Sequence, residues 1–147
     1  MKISHDTLDD IAGELDAGFH VYLNLDTGDY QNIIPIEGEM FHHVDKKMKE
    51  MEKEKLNEVE NNWENYIVLE EMNSDEAYLV MKKFAEQIPE EKFRDKVLTI
   101  LDLRKPFANF KDLVEPSKYR EHWFDFKKQQ YIEYVKDQLR EYNVEFE

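Results

Sequence analysis

The stretch KPFANFKD, at residues 105–112, determines how the C-terminal part of the chain is built. Pro106 suits the first turn of a helix, because the N–H that proline lacks would have no partner within the helix there. Phe107, Phe110 and Val114 then recur at i, i+3 and i+7, which places their side chains on one face. The spacing predicts a short helix that docks through this aromatic face.

A second aromatic stretch, WFDF at residues 123–126, lies in a last helix that the periodicity predicts over about residues 118–142. Trp123 turns to the same side as the apolar stripe of that helix. We therefore expect Trp123, Phe107 and Phe110 to form one buried cluster that joins the last two helices.

These two stretches resemble the C-terminal signature of an uncharacterised family of small bacterial proteins (UPF0158), which reads roughly basic-Pro-Phe-x-x-Phe-Lys-Asp and then Trp-Phe-x-Phe. The N-terminal part is similar as well, where LDDIA at residues 8–12 precedes a hairpin with LDTGD at residues 25–29. The resemblance covers most of the chain except residues 38–62, a central insert. It implies the family's fold and a cytoplasmic, bacterial setting, and it carries over no activity.

The N-terminal segment predicts a short helix followed by a strand. Asp6 or Thr7 is expected to cap the helix, and Gly18 is expected to end it. Apolar and polar residues then alternate over residues 19–25, which is typical of a half-buried strand.

Two further segments predict the rest of a small sheet. The turn residues at 26–29 lead into residues 30–35, which we expect to return antiparallel. A β-prone run at residues 65–69 would add a third strand, which a two-stranded ribbon needs for stability. Between them, residues 39–62 predict a charged, solvated helix with a narrow apolar stripe.

Four helices are expected in succession after Asn73, which caps the first of them with Glu76 at the reciprocal position. The predicted fold class is therefore α+β, with a small antiparallel sheet of two or three strands and a C-terminal helical layer. We expect one domain over residues 1–147. Its parts are a helix with a β-hairpin (1–37), a charged helical insert (38–62) and a short strand with the helical layer (63–147).

The composition is that of an acidic chain without cysteine. The net charge of −14 opposes non-specific attraction to nucleic acid and anionic lipid, and it favours a basic partner. The acid is concentrated in residues 1–45, which hold ten acidic side chains and one basic. The absence of cysteine excludes disulfides and thiolate chemistry and suits the cytoplasm. Because no apolar window is long enough to cross a bilayer, we expect no membrane association.

Two segments contain side chains of the kinds that bind metal ions, and both have a simpler interpretation. His42 and His43, with Glu39 and Asp45 nearby, form the densest cluster, but adjacent histidines point about 100° apart on a helix, so an exposed polar turn is favoured. The loop at 26–29 lacks the alternating ligands and terminal Glu of an EF-hand. It is interpreted as a hairpin turn.

No motif assigns catalysis. The chain has no glycine-rich phosphate loop and no nucleophile elbow, and its paired carboxylates are not placed in a pocket by sequence alone. We therefore assign no catalytic residue, no metal and no cofactor. Asp9, Asp10, Glu14 and Asp16 on the first helix would suit a cation site or a mimic of a phosphate backbone, but a solvated face is favoured. His20 and His122 are interpreted as surface or interface histidines.

Residues 104–128 have a positive net charge, unlike the chain as a whole, with seven basic and four acidic side chains. Aromatic rings lie among the basic residues, a combination that single-stranded nucleic-acid binding requires. The same rings sit at helical spacing, which favours burial in a core with the basic residues as a solvated rim. The binding residues predicted from this stretch are Arg104, Lys105, Lys111, Trp123, Lys127 and Lys128.

Three classes of function stay open. The leading hypothesis is a non-catalytic binding or adaptor module that acts through a protein partner or self-association, because no catalytic constellation is present and the two ends of the chain differ in charge. The alternative is a nucleic-acid-binding protein that uses residues 104–128, with strongly salt-dependent affinity. A metal- or carboxylate-dependent enzyme is the least favoured class.

Overall fold

The computed structural model describes residues 2–35 and 43–147, which divide into two compact units. The sheet unit comprises the described residues up to Glu71 together with Tyr131–Glu147. The helical unit comprises Met72–Gln130. The prediction that residues 1–147 form one domain stays a prediction.

The elements of the sheet unit are β1 (Lys2–Ile3), α1 (His5–Asp16), β2 (His20–Asn24), β3 (Tyr30–Ile33), α2 (Lys46–Asn61), a 3-10 turn (Trp63–Asn65), β4 (Tyr66–Leu69) and β5 (Glu145–Phe146). Strands β2, β3 and β4 form a three-stranded antiparallel sheet, in which β2 is the central strand. A separate two-stranded ribbon pairs β1 in parallel with β5. The predicted α+β class and the third strand are confirmed.

Helix α1 begins earlier than the sequence predicts. Ser4 is the N-cap, and its Oγ accepts a hydrogen bond from the N–H of Thr7 at 3.1 Å. The prediction of Asp6 or Thr7 as the cap was wrong, because the extended backbone that a cap requires is found at Ser4, directly after strand β1. Gly18, with φ of 100°, follows the helix end as predicted.

The predicted alternation in β2 is confirmed, since Val21 and Leu23 are buried and their neighbours are not. In the same unit, the Gln138 side chain exchanges two hydrogen bonds with the backbone of Glu70, at 3.2 and 3.3 Å, which ties the last helix to the end of β4. The buried apolar residues of this unit are Ile3, Leu8, Ile11, Ala12, Leu15, Val21, Leu23, Ile33, Ile34, Val59, Ile67, Leu69, Tyr131, Ile132, Val135 and Leu139.

A charged side chain of α2 bonds to the backbone at the end of the edge strand β3. Glu52 is buried and accepts hydrogen bonds from the N–H of Ile34 at 2.9 Å and from Lys55 Nζ at 3.1 Å. Lys55 Nζ also donates to the carbonyl of Asn32 at 3.1 Å, and Asn32 Nδ2 donates to Glu14 of α1 at 2.9 Å. We call Glu52, Lys55 and Asn32 the polar clasp. It satisfies a backbone N–H just beyond the end of an edge strand.

The helical unit contains the four predicted helices: α3 (Ser74–Glu86), α4 (Glu91–Leu101), α5 (Pro106–Val114) and α6 (Arg120–Glu141), whose residues from Tyr131 belong to the sheet unit. The capping box of α3 is confirmed, because Asn73 Oδ1 accepts from the N–H of Glu76 at 2.9 Å and the Glu76 carboxylate accepts from the N–H of Asn73 at 3.2 Å. Pro106 occupies the first position of α5, also as predicted.

The core of the helical unit is rich in aromatic rings. Trp123 is 5% exposed and Phe110 is 1% exposed, as expected, and Phe84 of α3 packs against both rings. The prediction that Phe107 joins this cluster was wrong, since its side chain is 43% exposed. Phe107 lies in the first turn of α5, directly after the exposed residues 102–105, where the helix has few neighbours to bury a ring.

Candidate binding surfaces on the helical unit

The structure separates the six residues that the sequence predicts for binding. Arg104, Lys105 and Lys111 are exposed around the loop before α5 and on α5 itself. Lys127 and Lys128 follow one another on α6, so they point about 100° apart around the helix. Trp123 is different, because it is a core residue with 5% exposure.

Trp123 serves the core rather than the surface. Its ring contacts those of Phe110 and Phe84, with centroids 4.7 and 5.4 Å away. Lys127 Nζ lies 5.9 Å from the centroid of the indole, a distance at which a cation–π attraction operates. The exposed fraction of Trp123 leaves too little ring surface for a base to stack on.

An exposed aromatic ring does lie among the basic residues, at Phe107. Lys111 is four residues further along α5 and therefore on the same side of the helix. The preceding loop is held by Asn109, whose Nδ2 donates to the carbonyl of Arg104 at 2.8 Å. We call Arg104, Lys105, Phe107 and Lys111 the basic-aromatic patch.

The backbone of this patch is strained at one residue. Lys105 has φ of 58° and ψ of 55°, the left-handed conformation, directly before Pro106. For a residue with a Cβ atom, this conformation costs about 1–2 kcal/mol. Such strain persists where the surrounding structure enforces it, and it is more frequent at functional sites than elsewhere.

A pocket of about 280 Å³ lies elsewhere on the helical unit, where the end of α3 meets the start of α6. None of the residues predicted for binding lies in this pocket. The available signal was the spacing of Tyr119, His122 and Phe126 at i, i+3 and i+7, which places three rings on one side of the chain entering α6. The residues that line the pocket are Phe84, Gln87, Ile88, Pro89, Tyr119, His122 and Phe126.

The aromatic walls of the pocket are fixed by their neighbours. Phe84 contacts Phe126 with a centroid distance of 5.6 Å. Tyr119 stacks on Phe93 of α4, with centroids 5.4 Å apart and planes 21° from parallel. The ring of His122 lies 6.3 Å from that of Tyr119. These contacts between rings fix the positions of the pocket walls.

The lining of the pocket is mostly apolar and aromatic. Its lining has one imidazole and one phenol and no carboxylate, so it holds no acid pair for proton transfer. Gln87 and His122 are exposed at the rim of the pocket, where their side chains are able to hydrogen-bond a ligand. Small-molecule clefts usually measure about 300–1,000 Å³, so this pocket is close to the lower end of that range.

The described residues offer no group of three or more His, Cys, Asp or Glu placed to hold a metal ion. Of the histidine cluster in the sequence analysis, Glu39 and His42 lie outside those residues, and the Asp45 carboxylate caps α2 by accepting from the N–H of Met48 at 2.8 Å. The loop at 26–29 is a hairpin turn, as predicted, in which Asn24 Oδ1 accepts from two backbone N–H groups.

The acidic side of α1 perturbs one tyrosine. Burial raises the pKa of Tyr30 above its ordinary value of 10.0, and the negative charges of Asp10 and Glu14 raise it further. Glu14 is also engaged by Asn32 Nδ2 at 2.9 Å. Glu14 therefore contacts strand β3, and Asp10 acts on the strand through its charge.

Charge is distributed unequally between the two units. The helical unit contains twelve basic and eleven acidic side chains, whereas the rest of the chain contains eight basic and twenty-three acidic. The basic residues predicted for binding thus lie on the unit that is close to neutral.

A family model described as Uncharacterised protein family (UPF0158) matches residues 3–147. The matched range includes residues 38–62, which the sequence analysis separates as an insert. Neither a curated protein nor a solved structure matches the chain. In the part of the chain that the structure describes, no helix combines the length and apolar character needed to cross a bilayer.

Proposed function

Since the chain belongs to the Uncharacterised protein family (UPF0158), whose description assigns no activity, we propose from the geometry that the helical unit is a non-catalytic protein-binding module. Its pocket accepts one large apolar side chain of a protein partner. The observation that supports this function is the pocket between Phe84, Tyr119 and Phe126.

Pre-organisation favours binding at this pocket. Phe84 and Tyr119 are already packed against other rings, so a partner would not have to order them, and the entropy lost on association is smaller. Anchoring side chains that fill such pockets contribute most of the binding free energy in many protein interfaces. Gln87 and His122 would hydrogen-bond the backbone beside the anchor.

The setting we propose is the cytoplasm, and the partner is a protein. A chain without cysteine suits a reducing compartment. A nearly neutral binding unit also tolerates a wider range of partner charge than the acidic sheet unit does.

Photo-crosslinking in cells tests this function. A photoreactive phenylalanine analogue replaces Gln87 at the pocket or, as a control, the exposed Thr99 of α4. We expect a discrete protein adduct from position 87 that survives nuclease treatment, and none from position 99. The substitution His122→Trp, which fills the pocket from its exposed rim, should abolish the adduct without unfolding the protein. Equal adducts from both positions, or an adduct that persists in His122→Trp, would refute the proposal.

A second candidate function, nucleic-acid binding, is favoured by the basic-aromatic patch. Phe107 is an exposed ring with basic residues on both sides, and such rings stack on unpaired bases. Removing a stacking ring costs about 1–3 kcal/mol per base. Phe107→Ala and Lys111→Glu should therefore weaken binding to single-stranded oligonucleotides, measured by fluorescence anisotropy at several salt concentrations, whereas Trp123→Phe should not. Absent or salt-independent binding of the native chain would remove this candidate.

A further inference from the structure

Helix α2 presents apolar side chains to solvent. Met48 and Met51 are 47% and 52% exposed, and Trp63, in the turn that follows the helix, is 69% exposed. Met48 and Met51 are neighbours on the helix surface, and exposed apolar side chains that adjoin one another are typical of interaction surfaces. Met48 lies four residues before Glu52 and therefore on the side of α2 that carries Glu52 and Val59. Met51 lies on a different side, which the described part of the chain leaves open.

The charges of α2 are separated along its length. Its first half, residues 46–53, contains four lysines and two glutamates, and its second half, residues 54–61, contains three glutamates and one lysine. Five of the six basic residues in the first 71 positions belong to this helix. One helix therefore carries a basic end and an acidic end inside the most acidic part of the chain.

Four exposed residues form a strip along one side of this helix. Lys47, Met51, Glu54 and Glu58 follow the spacing i, i+4, i+7 and i+11, which keeps them on one side over three turns. The strip begins basic, has an apolar centre and ends acidic. Read in the opposite direction, its charged ends are complementary, with Lys47 facing Glu58, and Met51 faces Glu54.

We propose that α2 pairs antiparallel with α2 of a second copy of this chain, around a twofold axis near Met51. Lys47 of each copy then lies opposite Glu58 of the other. With a rise of 1.5 Å per residue, the two Met51 residues lie about 4.5 Å apart along the helix direction. The antiparallel arrangement also opposes the two helix dipoles favourably.

The self-complementarity argues for a second copy rather than a different partner. An acidic partner would match only the first half of the strip, and a basic partner only the second half. In a twofold arrangement the same patch serves both copies, and every favourable pair is formed twice. Exposed ion pairs contribute little individually, so we expect a weak and reversible dimer.

A charge-swap experiment with the full-length chain tests this dimer. Analytical ultracentrifugation over a wide concentration range should show a reversible monomer–dimer equilibrium for the native protein. Lys47→Glu and Glu58→Lys, each alone, place like charges opposite one another and should raise the dimer Kd about tenfold or more, equivalent to about 1.4 kcal/mol. The double variant exchanges the two charges and should restore the native Kd.

Matched control variants distinguish the effect of the Lys47–Glu58 pairs on the dimer Kd from the effect of a changed net charge. Lys53→Glu and Glu60→Lys make the same changes in net charge on a different side of α2 and should leave the Kd within about threefold of native. Circular dichroism confirms that each variant is folded. A protein that is monomeric throughout, a double variant that fails to recover, or controls that disrupt as strongly would each overturn the proposal. His122→Trp should not affect the dimer, so failure here is distinct from failure of the pocket.

Discussion

The ring of Trp123 meets the ring of Phe110 edge-on, with centroids 4.7 Å apart and planes at 68°. This geometry is favourable for aromatic pairs, because the positive edge of one ring faces the negative face of the other. The contact joins α6 to α5, and Phe84 of α3 completes a group of three rings. Three of the four helices of the helical unit thus meet at one aromatic centre.

Removal of Trp123 should therefore be costly, whereas removal of Phe107 should not. We expect Trp123→Ala to lower the free energy of unfolding by about 3–5 kcal/mol, the usual loss for a large buried ring. Phe107→Ala should lower it by less than about 1 kcal/mol, because the ring is largely exposed. Urea denaturation of both variants checks this, and similar losses at the two positions would contradict the assignment of core and surface.

Lys105→Gly should stabilise the protein. Glycine adopts the left-handed conformation without the Cβ clash, a gain of about 1–2 kcal/mol that its greater freedom in the unfolded chain reduces by about 0.5–1 kcal/mol. The same substitution at Lys128, in the middle of α6, should destabilise by about 1 kcal/mol. Thermal denaturation of the pair would show midpoint shifts of opposite sign, and shifts of the same sign would argue against strain at Lys105.

Glu52→Ala should weaken the attachment of α2 to β3. The N–H of Ile34 and the ammonium of Lys55 would both lose an acceptor, and an unsatisfied buried donor costs about 1–3 kcal/mol. Glu60→Ala, at an exposed position of the same helix, should change stability by less than about 0.5 kcal/mol. Hydrogen exchange provides a local readout, since the Ile34 amide should exchange faster only in Glu52→Ala.

Tyr30 should make stability fall at alkaline pH. Its pKa is raised in the fold above the unfolded value, so the unfolded state binds fewer protons near that pH and its population rises with pH. The contribution is fully present below about pH 10 and is lost as pH rises through the folded-state pKa. In Tyr30→Phe this part of the decline should disappear from urea unfolding curves measured at increasing pH. An identical pH dependence in the two proteins would contradict it.

The features that the sequence predicted correctly depend on residues close together in the chain. The capping box joins Asn73 to Glu76, the alternation in β2 spans five residues, and Pro106 acts on its own turn. Each of these signals is local, and its meaning does not depend on how distant segments pack. The four helices and the three-stranded sheet follow from signals of this kind.

The features that the sequence did not predict depend on distant partners. Strand β1 pairs with β5 from the other end of the described chain, and Glu52 is buried because it meets the backbone of Ile34 on another element. The same holds for the candidate site. The basic side chains of residues 104–128 were predictable as charged residues, but the exposure of Phe107 and the pocket beside Tyr119 depend on where neighbouring helices begin and end.

One unit is formed by a single continuous segment of the chain, and the other is formed by two separate segments. The helical unit is one uninterrupted segment, Met72–Gln130, whereas the sheet unit combines residues before that segment with Tyr131–Glu147 after it. During synthesis, domains generally fold as units once their residues have emerged from the ribosome. All residues of the helical unit are therefore synthesised before β5 and the last turns of α6. The residues that line the pocket are available to pack against one another before the sheet unit has received its last strand.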